Sequence, residues 1–287
     1  MIRSTVLPAL LVAALLSGCG GTVAAKPDAP RATTADDTRQ VAVGPPGAED
    51  GATISGDAAR KVEVPVLMYH VIAKAKPGET YPELWVPPAR FAAQVQALAD
   101  AGYHAITLHQ LMEAWEKGDP VPDKPVVLTF DDGYLSQSTN AAPVLAKHGW
   151  PGVLYLTTRN IGPTIPKSSV KKLLRSGWEL GAHTATHPDL RTLDAAGRER
   201  EIDDVRIQLR AEFDQDVESF CYPAGKYDEA VVAAVKAAGY RSATTVAPGW
   251  AEPSDNPYLL QRVRVDPQDG PQRLLKKITA WHSSPDD

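Results

Sequence analysis

The chain reads as an α/β protein, a distorted (β/α) barrel of about seven mostly parallel strands forming a single domain. Three observations predict this. Short apolar runs alternate with helical patterns along residues 63–287. All 19 Phe, Trp and Tyr residues lie at or after Tyr69, so the core belongs to that part. Its length, about 225 residues, suits a closed barrel in one domain. An open doubly wound sheet is the alternative, but no Gly-rich GxGxxG segment follows a strand to mark a dinucleotide site.

The elements follow in order. Residues 64–70 (VPVLMYH) read as a buried strand. Residues 91–101 carry apolar positions at helical spacing, with Pro87 and Pro88 upstream and Gly102 after them. Residues 103–108 read as a strand and 109–117 as a short helix. Residues 125–130 (PVVLTF) form a β-rich run that stops at Asp131-Asp132-Gly133. A helix over 140–148 ends at Gly149, a strand spans 152–157, and a helix spans 167–176. Then come a strand (178–183), a long charged helix (194–213), a strand (217–222), a helix (227–238) and a strand (241–246). Residues 259–265 read as the last strand and 271–281 as the last helix.

The first 62 residues are of another kind. Arg3 precedes an apolar run of eleven residues, 6–16. That falls short of the ~20 needed to span a bilayer, so it reads as an export signal. Leu16-Ser17-Gly18-Cys19 resembles the bacterial lipobox, which implies lipidation of Cys19 and removal of the signal peptide, residues 1–19. The expected location is the outer face of a bacterial membrane, held by a lipid anchor. Residues 20–62 hold ten Ala, six Gly, five Thr and four Pro, with no Leu and no aromatic. Such a segment buries too little apolar surface to offset its chain entropy and reads as a disordered tether.

The net charge is −5, from 30 basic and 35 acidic residues, and argues against a nucleic-acid partner. The two cysteines, Cys19 and Cys221, do not make a disulfide framework. The chain is expected to be a monomer.

The chemistry gathers at the ends of four strands. These ends carry His70, the pair Asp131-Asp132, His183 with His187 four residues on, and Cys221-Tyr222-Pro223-Ala224-Gly225. In a parallel barrel the carboxyl ends share one face. Two imidazoles and a carboxylate suit Zn²⁺ or a similar divalent ion and leave positions open. A second carboxylate can take a proton from water, and a nearby histidine can protonate a poor leaving group. The reaction class is metal-assisted hydrolysis of an amide or ester.

Thr129-Phe130-Asp131-Asp132-Gly133 and His183-Thr184-Ala185-Thr186-His187 resemble the motifs of the polysaccharide deacetylases, the NodB-homology fold of carbohydrate esterase family 4. The resemblance covers most of residues 64–250. It implies a distorted barrel and an N-acetylated glycan substrate. It implies Asp131 as general base and Asp132, His183 and His187 as ligands of a divalent metal, Zn²⁺ first, with Co²⁺ or Ni²⁺ as alternatives. The chain departs from the common pattern in three places. Cys221-Tyr222-Pro223-Ala224 stands where the family has Arg-Pro-Pro-Tyr, so the base-orienting arginine is missing while the Ala224 N–H can still serve an oxyanion. No Leu-x-x-His motif closes the chain, and His282 lies in a polar tail. Leu67-Met68-Tyr69-His70 resembles the opening of the circularly permuted branch, which includes poly-N-acetylglucosamine deacetylases and implies His70 as the acid.

Tyr222, Pro223 and Ala224 are therefore expected at the oxyanion and substrate site, and Trp250, in a loop after a strand, is a candidate to stack on a sugar. Arg262 and Arg264 share a face by strand alternation, and Arg262 is the candidate to replace the missing arginine. An O-acetyl esterase of the xylan type and a catalytically dead glycan-binding protein are the competing functions.

Overall fold

The computed structural model describes residues 52–282. The expected signal peptide, Cys19 and the tether up to residue 51 lie outside the described residues. Ten strands run in chain order. They are β1 Thr53–Ile54, β2 Val66–Tyr69, β3 His104–Ile106, β4 Val121–Pro122, β5 Pro125–Phe130, β6 Val153–Leu156, β7 Glu179–Ala182, β8 Ser219–Cys221, β9 Ser242–Thr244 and β10 Val263–Arg264. Seven helices accompany them: α1 Pro88–Asp100, α2 Leu108–Lys117, α3 Ala142–Ala146, α4 Lys167–Arg175, α5 Ala195–Phe213, α6 Glu229–Ala237 and α7 Pro271–His282.

The main sheet runs β10-β2-β5-β6-β7-β8-β9, and every pairing in it is parallel. It curls into a distorted (β/α) barrel. Strand β3 pairs with Pro125–Val127 of β5, while β6 pairs with Thr129 and Phe130 further along. One edge of β5 is thus shared by two strands, which is where the barrel is irregular. The expected strand over 259–265 splits its bonding between two neighbours. Leu260 bridges Thr244, and Val263 and Arg264 pair with Leu67 and Met68.

Alternation along each strand sorts the core into two layers. Leu128, Phe130, Tyr69 and Leu154 pack outward against Phe91, Val95 and Leu98 of α1 and the other helices. Val66, Val127, Val153, Tyr155 and Cys221 belong to the inner layer, closed from below by Leu108, Leu111 and Ala114 of α2. Helix α2 starts at a capping box: Thr107 Oγ1 accepts from the Gln110 N–H, and Gln110 Oε1 accepts from the Thr107 N–H. Helices α5 and α6 start on the carboxylates of Asp194 and Asp228.

Two expectations need correction. The tether does not extend to residue 62. Strand β1 pairs antiparallel with β4, Ala59 is buried in the inner layer, and the Trp115 Nε1–H donates to the Val62 carbonyl at 2.8 Å. Small residues suffice here because the segment lies against α2 at close backbone range. The helix expected over 140–148 is a π-helical turn, Gln137–Ala141, running into the short α3. Pro143 lacks the N–H that a longer uninterrupted helix would use.

Candidate active site

The carboxyl ends of β2, β5, β7 and β8 place His70, Asp131-Asp132, His183 and Cys221 on one face. Asp131 continues the inward column of Val127 and Thr129, and His183 extends β7. The turn after β5 requires its glycine. Gly133 has φ +85°, and a Cβ there would meet Leu156 Cδ1 at 2.3 Å. Five non-glycine residues among those described have positive φ, and four of them lie here: Asp132, Thr184, His187 and Ala224. Such strain, about 1–3 kcal/mol each, persists only where the surroundings over-determine the backbone.

Asp131 is buried and held from both sides. Arg262 Nη1 donates to Oδ1 at 2.8 Å and Nη2 donates to Oδ2 at 2.9 Å. The guanidinium is itself fixed, with Nε on the Thr245 carbonyl at 2.7 Å and Nη1 on Thr129 Oγ1 at 3.0 Å. Cys221 Sγ lies 3.2 Å from Nη2 and 3.6 Å from Asp131 Oδ2. His70 Nε2 lies 3.6 Å from Asp131 Oδ2.

Burial pushes the Asp131 carboxyl pKa up, but Arg262, aided by His70, holds it well below the usual range. Burial lowers the His70 pKa, beyond what Asp131 and Asp132 restore. His187 is also lowered, by burial and by its neighbour His183. Burial acts on His183 in the same direction, but Cys221 and the two aspartates raise its pKa to about 10.

Asp132 Oδ1 lies 3.5 Å from His183 Nε2 and 3.8 Å from His187 Nε2. Tetrahedral ligands at zinc distances stand about 3.3–3.5 Å apart, so this donor set fits such an ion with shifts of a few tenths of an ångström. His183 Nδ1 donates to the Cys221 carbonyl at 2.6 Å, which orients Nε2 toward the shared centre. In a second donor group, Asp131, His183 and Cys221, the ligand atoms also lie within 4.8 Å of one another. There the guanidinium already occupies both Asp131 oxygens and the sulfur, so a cation is disfavoured.

Three expected residues are placed otherwise. Tyr222 is buried in the outer layer, in ring contact with Phe220 and Tyr227, and Pro223 is buried beside it. Neither side chain can face a substrate, which leaves the backbone of Ala224, in a left-handed turn, as the exposed part of the segment. Trp250 is not a sugar platform at this face. Its Nε1–H donates to the Ile278 carbonyl at 2.9 Å, its ring lies 4.2 Å from that of His282, and the next residue, Ala251, pairs with Val64. Val64 precedes β2 whereas His70 follows it, so Trp250 and His282 sit toward the amino end of the strand.

Sequence reasoning missed Gln137. Its Nε2 donates to the carbonyls of His70 and Asp131, at 2.9 and 2.7 Å, and ties the two strand ends together. It lies six residues beyond Asp131 in a stretch without periodicity, and no signal singled it out.

Comparison with known proteins agrees with this architecture. The family model described as "Polysaccharide deacetylase" matches residues 118–243, which carry both site motifs. The Bacillus subtilis (strain 168) protein "Putative polysaccharide deacetylase YxkH" is 30% identical over 210 residues, 72% of this chain and 73% of that one. The Escherichia coli (strain K12) poly-beta-1,6-N-acetyl-D-glucosamine N-deacetylase is 46% identical over 56 residues, 20% of this chain and 8% of that one. Among solved structures, the Streptococcus pyogenes deacetylase PplD in complex with acetate superposes with a TM-score of 0.71 at 26% identity, covering 76% of this chain and 99% of that one. A relative matched along most of both chains, and a family model lying across the strands that bear Asp131, Asp132, His183 and His187, place this chain in the polysaccharide deacetylase family, hydrolases of acetylated polysaccharides.

Proposed function

We propose that the chain removes N-acetyl groups from an N-acetylglucosamine-containing polysaccharide outside the cell, by metal-dependent hydrolysis, while anchored to the membrane through Cys19. The observation that carries the reaction is the donor group Asp132, His183 and His187 with an ionised Asp131 one residue away. The glycan class is supported by the short match to the poly-beta-1,6-N-acetyl-D-glucosamine N-deacetylase. The location is supported by the lipobox-like sequence before Cys19.

Asp132, His183 and His187 would hold the metal. When bound, it supplies a lowered water pKa and polarisation of the acetyl carbonyl. Asp131 accepts the proton of the attacking water at a carboxylate oxygen. Each oxygen keeps a free lone pair beside its bond from Arg262. Arg262 fixes the direction of that carboxylate and keeps it ionised. The Ala224 N–H donates to the oxygen that gains charge as water adds to the carbonyl carbon. His70 Nε2, 3.6 Å from Asp131 Oδ2, takes over the water's proton from Asp131 and delivers it to the departing nitrogen as the C–N bond breaks. Acetate and a free amine result.

The test incubates the metal-loaded protein with oligomers of N-acetylglucosamine and measures free amine and acetate by mass spectrometry. Loss of 42 Da per sugar with release of amine, abolished in Asp131→Asn, is expected, by the arithmetic of amide hydrolysis at roughly one acetyl group per residue. Turnover confined to O-acetyl esters would overturn the proposal in favour of an esterase.

A further inference from the structure

The two histidines of the donor group flank a loop of three residues, Thr184, Ala185 and Thr186. Its backbone is left-handed at Thr184 (φ +63°) and at His187 (φ +61°). Neither residue is a glycine, so the loop must be held in this shape by its neighbours. Its carbonyls are held from one side. Thr157 Oγ1 donates to the His183 carbonyl at 2.9 Å, the Thr158 N–H to that of Thr184 at 3.2 Å, and the Arg159 N–H to that of Ala185 at 3.0 Å. Its donors are held from the other side by one carboxylate. Glu201 Oε2 accepts from the Ala185 N–H at 2.8 Å and from the Thr186 N–H at 2.9 Å, and Oε1 accepts from Thr186 Oγ1 at 2.6 Å. The last amide, His187 N–H, donates to Thr184 Oγ1 at 2.9 Å.

We infer that Glu201, on α5, is a positioning residue for the metal site: it locks the loop in the conformation that turns His187 toward Asp132 and His183. The inference rests on the metal reading of the site. A charged acceptor taking three hydrogen bonds is among the stronger anchors a side chain can supply. Glu201 is also mounted on α5, a helix of 19 residues, so the anchor is rigid. Without it, two amides and a hydroxyl lose their partner, and the strained turns at Thr184 and His187 are free to relax. His183 would keep its place, being fixed by the Cys221 carbonyl. The loss would fall on His187, the half-buried ligand at the far end of the loop.

The test uses the full chain and Zn²⁺, with affinity read by chelator competition and loop order by backbone amide hydrogen exchange in metal-free protein. In Glu201→Ala, affinity should fall by roughly ten- to a hundredfold, the range seen when a ligand's supporting partner is removed. The Ala185 and Thr186 amides should lose protection even before metal is added. Glu201→Gln keeps an acceptor oxygen and an N–H for Thr186 Oγ1, and should bind within about threefold of wild type. If Glu201→Ala does not fold, Glu201→Asp carries the test, since it keeps the charge but retracts the carboxylate by one methylene. Weakened Zn²⁺ binding by Glu201→Asp is then expected. Wild-type affinity together with protected amides in whichever variant folds would overturn the inference, as would Glu201→Gln binding as poorly as Glu201→Ala. A wild-type chain that binds no Zn²⁺, yet loses Ala185 and Thr186 protection in the variant, would sink the metal reading and with it the metal role of Glu201, while leaving the loop anchor standing.

Discussion

Arg262 grips Asp131 across 131 positions of sequence, with two parallel hydrogen bonds of 2.8 and 2.9 Å inside the barrel. Cys221, which the sequence resemblance sets against the family's arginine, lies against the same guanidinium at 3.2 Å. The guanidinium that orients Asp131 thus comes from the segment entering β10 and not from the end of β8.

That pairing predicts the behaviour of Arg262→Ala. Asp131 would lose its counter-charge while remaining buried, so its pKa should rise and its orientation loosen. Turnover should drop by about tenfold or more with metal content unchanged, and the acidic limb of the rate profile should move to higher pH. An uncompensated buried charge costs about 3–5 kcal/mol, so Tm should fall as well. Arg262→Lys tests orientation separately. It restores a charge but not the paired geometry, and should recover stability more than rate. Wild-type turnover in folded Arg262→Ala would remove Arg262 from the mechanism.

The metal site gives a second expectation. His183→Ala and His187→Ala should each lose divalent metal on dialysis, because two remaining protein ligands hold such an ion poorly. Asp131→Asn should keep the metal and lose turnover, since an amide cannot take the proton of water near neutral pH. Elemental analysis separates the cases, and full metal in His183→Ala would be incompatible with the assignment.

A third expectation concerns pH. His70 is largely buried and its pKa lies below the usual imidazole value of about 6.5. A depressed histidine contributes stability that is complete above its unfolded pKa and is lost as pH falls through the folded one. The metal-free chain should therefore lose Tm as pH drops below about 6.5, and His70→Gln should flatten that fall. An NMR titration of the His70 ring with a midpoint above the free imidazole value would contradict this.

How much of this was legible in the sequence depends on distance along the chain. His70, Asp131-Asp132 and His183 each follow directly from an apolar strand, so strand parity and the shared carboxyl face placed them together. Arg262 was singled out because alternation sets it on one face with Arg264, but only Arg262 is buried, and Arg264 two residues on is exposed. Trp250 was not, because the chain after β9 doubles back to pair Ala251 with Val64, a non-local contact that no periodicity encodes. Glu201 sits in the charged run Arg198-Glu199-Arg200-Glu201, which reads as a solvated helix face until the loop it anchors is seen beside it. Ala59 is buried by close backbone approach and not by side-chain bulk, so a segment poor in large apolar residues concealed a folded stretch.

The same stretch sets where the chain can be shortened. Residues 52–62 bond to the parts that close the barrel from below. The Gly56 N–H donates to the Gly118 carbonyl at 2.8 Å, Arg60 Nη2 to the Lys117 carbonyl at 2.6 Å, and the Asp123 N–H to the Ala52 carbonyl at 2.9 Å. Removing them uncovers part of the inner layer around Leu111, Ala114 and Val121. A chain beginning at Ala52 should match the stability of the full chain. One beginning at Glu63 should be weaker by about 2–4 kcal/mol from lost apolar burial and backbone hydrogen bonds, or roughly 5–15 °C in Tm. Its turnover at 25 °C should stay within about threefold of the longer form, because the lost contacts lie at the amino ends of the strands and the site at their carboxyl ends. Thermal melts of the two truncated forms decide the matter: equal Tm values would mean that the segment merely rests on the domain.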